Sequence, residues 1–241
     1  MISEAGAQLP QRTTREAFLS IVDRPRVPLA SSVRELQGGR GLSVARFSFS
    51  SEATQRVPGL IVKRADSNGR RPAVIALHET GGSKEGLGSV LAELANRGFI
   101  AVSIDGRYHG ERAIGGDYPD AIFQAFQTGL DHPFLYDTAW DVMRLLDYLE
   151  TRDDVDPERI GLIGFSKGGM ETYLTAAVDP RIAVAVPCIG VQSFRWALEN
   201  NAWAQRIGTI YPAVELAAKE SGTAVNAAFV RKFYDRVVPG I

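Results

Sequence analysis

The sequence predicts a single α/β domain built on a doubly wound, mostly parallel sheet with flanking helices, and three observations carry that prediction. From Ala73 onward, short apolar runs alternate with segments whose apolar residues recur at helical spacing, the pattern of parallel strands joined by helical crossovers. The 241 residues, 45% of them hydrophobic, suffice for one large core. No internal repeat, low-complexity tract or convincing linker divides the chain.

The elements follow in order. Residues 1–40 contain Arg and Pro and one short helical pattern at Arg15-Glu16-Ala17-Phe18-Leu19, and are expected to wrap the domain surface. Leu42 to Phe49, with partial alternation, and Val57 to Lys63 read as an antiparallel edge hairpin or meander. The first parallel strand is Ala73-Val74-Ile75-Ala76-Leu77, followed by a helix with Leu87, Val90, Leu91 and Leu94 and by Gly98, suited to a left-handed cap. Phe99 to Ile104 is the next strand. A long loop then leads to a helix with Val142, Leu145, Leu146 and Leu149 on one face. Arg159 to Ile163 is a strand, Met170, Tyr173, Leu174 and Ala177 mark the helix after it, and Ile182 to Val186 is the last strand in the pattern. Residues 193–241 read as a helical, cap-like segment: Phe194 to Ile207, Ala213 to Glu220 and Ala224 to Val238.

Composition excludes several function classes. The formal net charge of −1 gives no basic footprint for nucleic acid and no acidic tail for a charged partner. Met1 to Gly6 lacks a positive stretch followed by an apolar core, and no apolar run reaches membrane-spanning length. The lone Cys188 has no internal partner for a disulfide and reads as a buried small hydrophobe in a reducing compartment. The expectation is a cytoplasmic chain.

The chemistry concentrates at predicted strand ends, where open parallel sheets place their ligand sites. Gly164-Phe165-Ser166-Lys167-Gly168 joins an apolar strand to a helix start and reads as a nucleophile elbow. Ser166 is the expected nucleophile, with the helix N-terminus beneath it favouring developing negative charge. His78-Glu79-Thr80-Gly81-Gly82 follows the first parallel strand, and its glycines let backbone amides turn toward a ligand. Together they predict an oxyanion hole made by the N–H of Lys167 and an N–H of this loop, Thr80 being favoured over Glu79. Asp105-Gly106-Arg107-Tyr108-His109-Gly110-Glu111-Arg112 follows the next strand. His109 is a candidate substitute base there, but the favoured reading has Arg107, His109 and Glu111 bracing loops, because nothing specifies a triad geometry. His78, Glu79, Arg107 and His109 stand as candidate pocket residues. His132 reads as a loop or helix-start residue, and Asp179 as a turn residue at a strand's amino end. Glu171, Glu199, Glu215, Glu220 and Asp235 read as solvated helix residues, and Tyr136, Trp140, Trp196 and Trp203 as core. No metal-ligand spacing appears, and Gly38, Gly39 and Gly41 open no phosphate-binding loop.

These residues, with Asp156-Pro157-Glu158-Arg159-Ile160-Gly161 ahead of the elbow and Pro187 to Phe194 beyond it, resemble the α/β-hydrolase superfamily, in its dienelactone hydrolase-like and acetyl esterase-like branch. The resemblance runs from about Val57 onward. It implies hydrolysis of a small-molecule ester through an acyl-Ser166 intermediate, with no dissociable cofactor. The superfamily places an acid and then a histidine after the serine, whereas His78, His109 and His132 all precede Ser166. The resemblance therefore implies a member lacking the C-terminal part that carries the triad Asp and His. Three routes follow: His78 or His109 substitutes, a second chain completes the site, or the chain is inactive. The rival reading is a non-catalytic hydrolase-fold protein that binds a ligand or partner. An exposed parallel edge strand further predicts a homodimer through the sheet edge.

Overall fold

The structure is a computed structural model and describes residues 14–113, 117–190 and 193–239. Helix α1 (Thr14–Val22) precedes three strands, β1 (Ser32–Leu36), β2 (Leu42–Glu52) and β3 (Gln55–Arg64). Then come β4 (Arg71–Leu77), α2 (Gly88–Asn96), β5 (Ile100–Ile104), α3 (Tyr118–Thr128) and α4 (Tyr136–Glu150). Strand β6 (Val155–Phe165), α5 (Lys167–Val178) and β7 (Ile182–Cys188) complete the sheet region. Helices α6 (Phe194–Glu199), α7 (Trp203–Arg206), α8 (Tyr211–Glu220) and α9 (Ala227–Val237) follow.

The seven strands form one sheet in the order β1-β2-β3-β5-β4-β6-β7. β1, β2 and β3 are antiparallel and β3 meets β5 antiparallel, while β5, β4, β6 and β7 run parallel. Apolar residues separate by face. Leu60, Val62, Ala76 and Ala101 pack under Leu91 and Ala95 of α2, whereas Phe47, Ile61, Ile75, Val102 and Leu162 pack against Val142, Leu145 and Leu149 of α4. A third apolar cluster joins α3, α8 and α9 to Trp140 and Tyr136 of α4. Burial of these side chains stabilises the fold at about 25 cal/mol per Å² of apolar area removed from water.

Several expectations change. β1 was not anticipated; its residues Ser32–Glu35 are exposed, so no buried face imprints an alternation. The expected long loop contains α3, started by Pro119 near its N-terminus and ended by Gly129 at φ 68°. The expected helix Phe194 to Ile207 breaks into α6 and α7 around Asn201, whose φ is +54°. Trp196 is 54% exposed rather than core, and Cys188 is half-buried because β7 is an edge strand. Over the described part of the N-terminal segment, Arg15 donates to the Val178 carbonyl, Arg24 to Glu52 and Asp137, and the Val27 carbonyl accepts from Arg144. Residues 1–13, and Gly240 and Ile241 at the end of the cap-like segment, lie outside the described residues. Among the described residues no helix is long and apolar enough to cross a membrane.

Candidate active site

Register alone brings three loops together. Leu77, the last residue of β4, pairs with Gly164 of β6, and Ala76 pairs with Ser103 of β5. The segments after β4, β5 and β6 therefore leave the sheet side by side, at the carboxyl ends of its central strands.

Ser166 occupies the turn between β6 and α5 at φ +53° and ψ −111°. A non-glycine residue there is strained by about 1–3 kcal/mol. Glycines make the turn possible: a Cβ on Gly164 would lie 2.0 Å from the Gly168 carbonyl oxygen, and one on Gly168 would lie 2.5 Å from that of Leu77. The Ser166 N–H donates to the Cys188 carbonyl (3.0 Å), and Met170 N–H donates to the Ser166 carbonyl (3.1 Å). Lys167 is the first residue of α5, so its N–H has no partner within the helix.

The Lys167 side chain turns inward. Its ammonium is buried and paired with Glu171 one turn on, within 5.8 Å of the Tyr118 ring and against Gly106. Glu171 is thus not solvated: it is 1% exposed, and burial raises its pKa while Lys167 opposes the rise. A surface-type i,i+4 pair became a buried one because the loop after β5 closes over it.

The loop after β4 makes a tight turn, with Gly82 N–H donating to the Glu79 carbonyl (3.0 Å) and Gly81 at φ +78°. The Thr80 N–H has no intramolecular bond among the described residues. His78 is fully engaged: its Nδ1–H donates to the Glu79 carbonyl (2.7 Å) and its Nε2 accepts from Gly106 N–H (3.0 Å). Its pKa is lowered by burial and by the nearby Lys167 ammonium.

His109 donates its Nδ1–H to the Arg107 carbonyl (2.6 Å), and its buried Nε2 has no partner among the described residues. Its ring lies against His78 (5.0 Å) and edge-on to Tyr118 (4.5 Å). Burial, reinforced by Lys167, pushes its pKa down to about 3. Such an imidazole stays neutral at physiological pH and resists becoming the imidazolium that a general base must become. Arg107 faces a different group of charges: it donates to both Asp141 oxygens (2.9 and 3.1 Å) and to Glu52, while Arg112 also holds Asp141 (2.6 Å). Burial would raise the Asp141 pKa, but the two guanidiniums hold it well below the carboxylate range. Arg107 is a brace in this arrangement. His132 sits apart, its Nδ1–H donating to the Val237 carbonyl (3.0 Å), and Asp179 holds Arg181 at the amino end of β7.

Sequence reasoning missed Asp105, Lys84 and Tyr118 as organisers of this region. Asp105 and Lys84 are wholly buried, and the signal was a charged pair flanking two strand-end loops. Among the described residues no group of three or more His, Cys, Asp or Glu side chains is placed to hold a metal.

Comparison with known proteins defines the class first. An acetyl xylan esterase from Paenibacillus sp. R4 superposes with a TM-score of 0.61 at 20% identity, covering 83% of this chain and 69% of that one, which shows a shared α/β-hydrolase fold. The chain belongs to the Dienelactone hydrolase family, whose profile matches residues 57–217. A Bacillus subtilis (strain 168) protein named "Putative hydrolase YtaP" is 33% identical over 189 residues, 71% of this chain and 61% of that protein. A "4-O-methyl-glucuronoyl methylesterase" of Podospora anserina is 28% identical over 163 residues, 66% of this chain and 32% of its own length. The chain thus spans less than two thirds of the length of each of these curated relatives.

Proposed function

We propose that this chain carries the nucleophile and oxyanion hole of a serine hydrolase acting on small carboxylic esters. The observation that carries the reading is the Ser166 backbone, held at φ +53° at the carboxyl end of a central parallel strand, between glycines that leave no room for a Cβ. Family membership supports it, and the methylesterase name of the Podospora relative points to an ester as the bond broken.

In the proposed reaction Ser166 Oγ attacks the ester carbon and gives its proton to a base. The carbonyl oxygen gains negative charge between the N–H groups of Lys167 and Thr80. The alkoxide then leaves with that proton, and water repeats the sequence to release the acid and regenerate Ser166. None of these steps draws on a dissociable cofactor.

Among the described residues no histidine hydrogen-bonds the Ser166 hydroxyl. Both His78 nitrogens are engaged, His109 is a very weak base, and His132 is tied to Val237. The same arrangement favours the second reading, a non-catalytic protein that binds a small ligand or partner at this place.

A fluorophosphonate probe with peptide mapping decides between them. Slow labelling confined to Ser166 and abolished in Ser166→Ala is the expected result, since oxyanion hole and binding alone retain about 10³-fold acceleration in triad enzymes lacking a member. Label persisting in Ser166→Ala removes the serine from the mechanism. A parent chain that takes no label favours the binding reading.

A further inference from the structure

Asp105, the first residue after β5, is wholly buried, yet its carboxylate is fully occupied. Oδ1 accepts from the Lys84 N–H (2.9 Å), and Oδ2 accepts from the Glu111 N–H (2.9 Å) and from the Lys84 ammonium (2.6 Å). The Lys84 ammonium also bonds Glu111 (2.6 Å). Burial pulls the Lys84 pKa down, and its bonds to Asp105, Glu111 and Glu85 (3.0 Å) outweigh that and raise it. Gly110 makes the approach possible, because a Cβ there would lie 2.3 Å from the Asp105 carboxylate. Two loops, 78–84 and 105–112, thus close on one side chain. A second strut joins them at the other end, where Gly106 N–H donates to His78 Nε2 (3.0 Å). The Glu79–Gly82 turn hangs between these two fixed points.

We propose that Asp105 is a positioning residue of the acyl-transfer site, fixing the turn that aims the Thr80 N–H. The inference rests on the nucleophile reading above. Thr80 N–H has no bond of its own to hold it among the described residues, so its place is set by how the two ends of its loop are anchored. Oxyanion donors act only when held near 3 Å from the developing charge, which makes a few tenths of an ångström matter. A carboxylate suits the anchor because it accepts from two backbone amides and an ammonium together, whereas an Asn amide would turn an N–H₂ group toward one of those donors.

The test is the saturation kinetics of Ser166 labelling by a fluorophosphonate on the 241-residue chain. Asp105→Asn is expected to slow the maximal labelling rate about tenfold or more, with the half-saturating probe concentration unchanged. Lys84→Met keeps both amide struts and is expected to stay within about threefold of the parent. The double Asp105→Asn/Lys84→Met variant leaves no unpaired buried ammonium, so it is expected to fold and to be as slow as Asp105→Asn. Parent-like rates in both Asp105 variants overturn the proposal, as does an equal loss in Lys84→Met, which would make the pair merely structural. A parent chain without label at Ser166 overturns the nucleophile reading itself, visibly and separately.

Discussion

At the scale of single residues, His109 shows how placement changes chemistry. In an unfolded chain its imidazole takes a proton near its ordinary pKa of 6.5, while in the fold it does so only at about 3. Between those values the unfolded state binds more protons, so stability falls as pH drops. From pH 7 to pH 5 this linkage removes about 2 kcal/mol. Urea midpoints measured at pH 7 and pH 5 should show the loss, and His109→Phe, which retains an aromatic ring without a titrating nitrogen, should show a shallower one. An unchanged slope in that variant would shift the effect to His78, whose pKa is also lowered. The shift itself was not legible in the sequence, where His109 stood as a candidate substitute base and a brace of a dense polar loop. Lys167 and Glu171 taught the same lesson: their spacing marks a helical ion pair, but burial depends on a loop more than fifty residues away in the chain.

Elements were legible wherever an apolar face left a periodic trace. Strands β4 and β5 follow that trace closely, because apolar layers cover both of their faces. β1 escaped because an exposed edge needs no pattern, and α3 because the Gly106-to-Pro133 stretch read as one loop, hiding the spacing of Tyr118, Ile122, Ala125 and Phe126. At the turn between β6 and α5 the sequence was unusually informative, since the two glycines are demanded by contact between elements. Gly168 seats α5 on the end of β4, and an added Cβ would meet backbone oxygens of Leu77 and His78 at 2.5 and 2.7 Å. Backbone cannot move aside as a side chain can, so Gly168→Ala should lower stability by about 3 kcal/mol. Chemical denaturation of the purified variant measures this, and a loss under about 1 kcal/mol would mean that α5 slides freely on the sheet.

Across the whole molecule, the sheet is capped by antiparallel strands at one side and ends in β7 at the other. β7 carries Val184 at 60% and Val186 at 44% exposure, beside an apolar groove of about 420 Å³ lined in part by Val74, Leu94, Phe99 and Ile163. An unpaired strand edge of this kind promotes association. Light scattering on the 241-residue chain should therefore show self-association that rises with concentration, and Val184→Lys should reduce it; a monomer at high concentration would count against it. The fold order was foreseeable from alternating strands and helices, whereas the state of this edge depends on which face α2 leaves bare. The edge also bears on Ser166. The Ser166 amide donates to the Cys188 carbonyl, so the strained turn is moored to the last residue of the outermost strand. Edge strands open more readily than central ones in native-state hydrogen exchange. Whatever pairs with β7 therefore slows the breathing of the serine's own backbone, and the protection of one amide at residue 166 becomes a gauge of how firmly the far side of the sheet is closed.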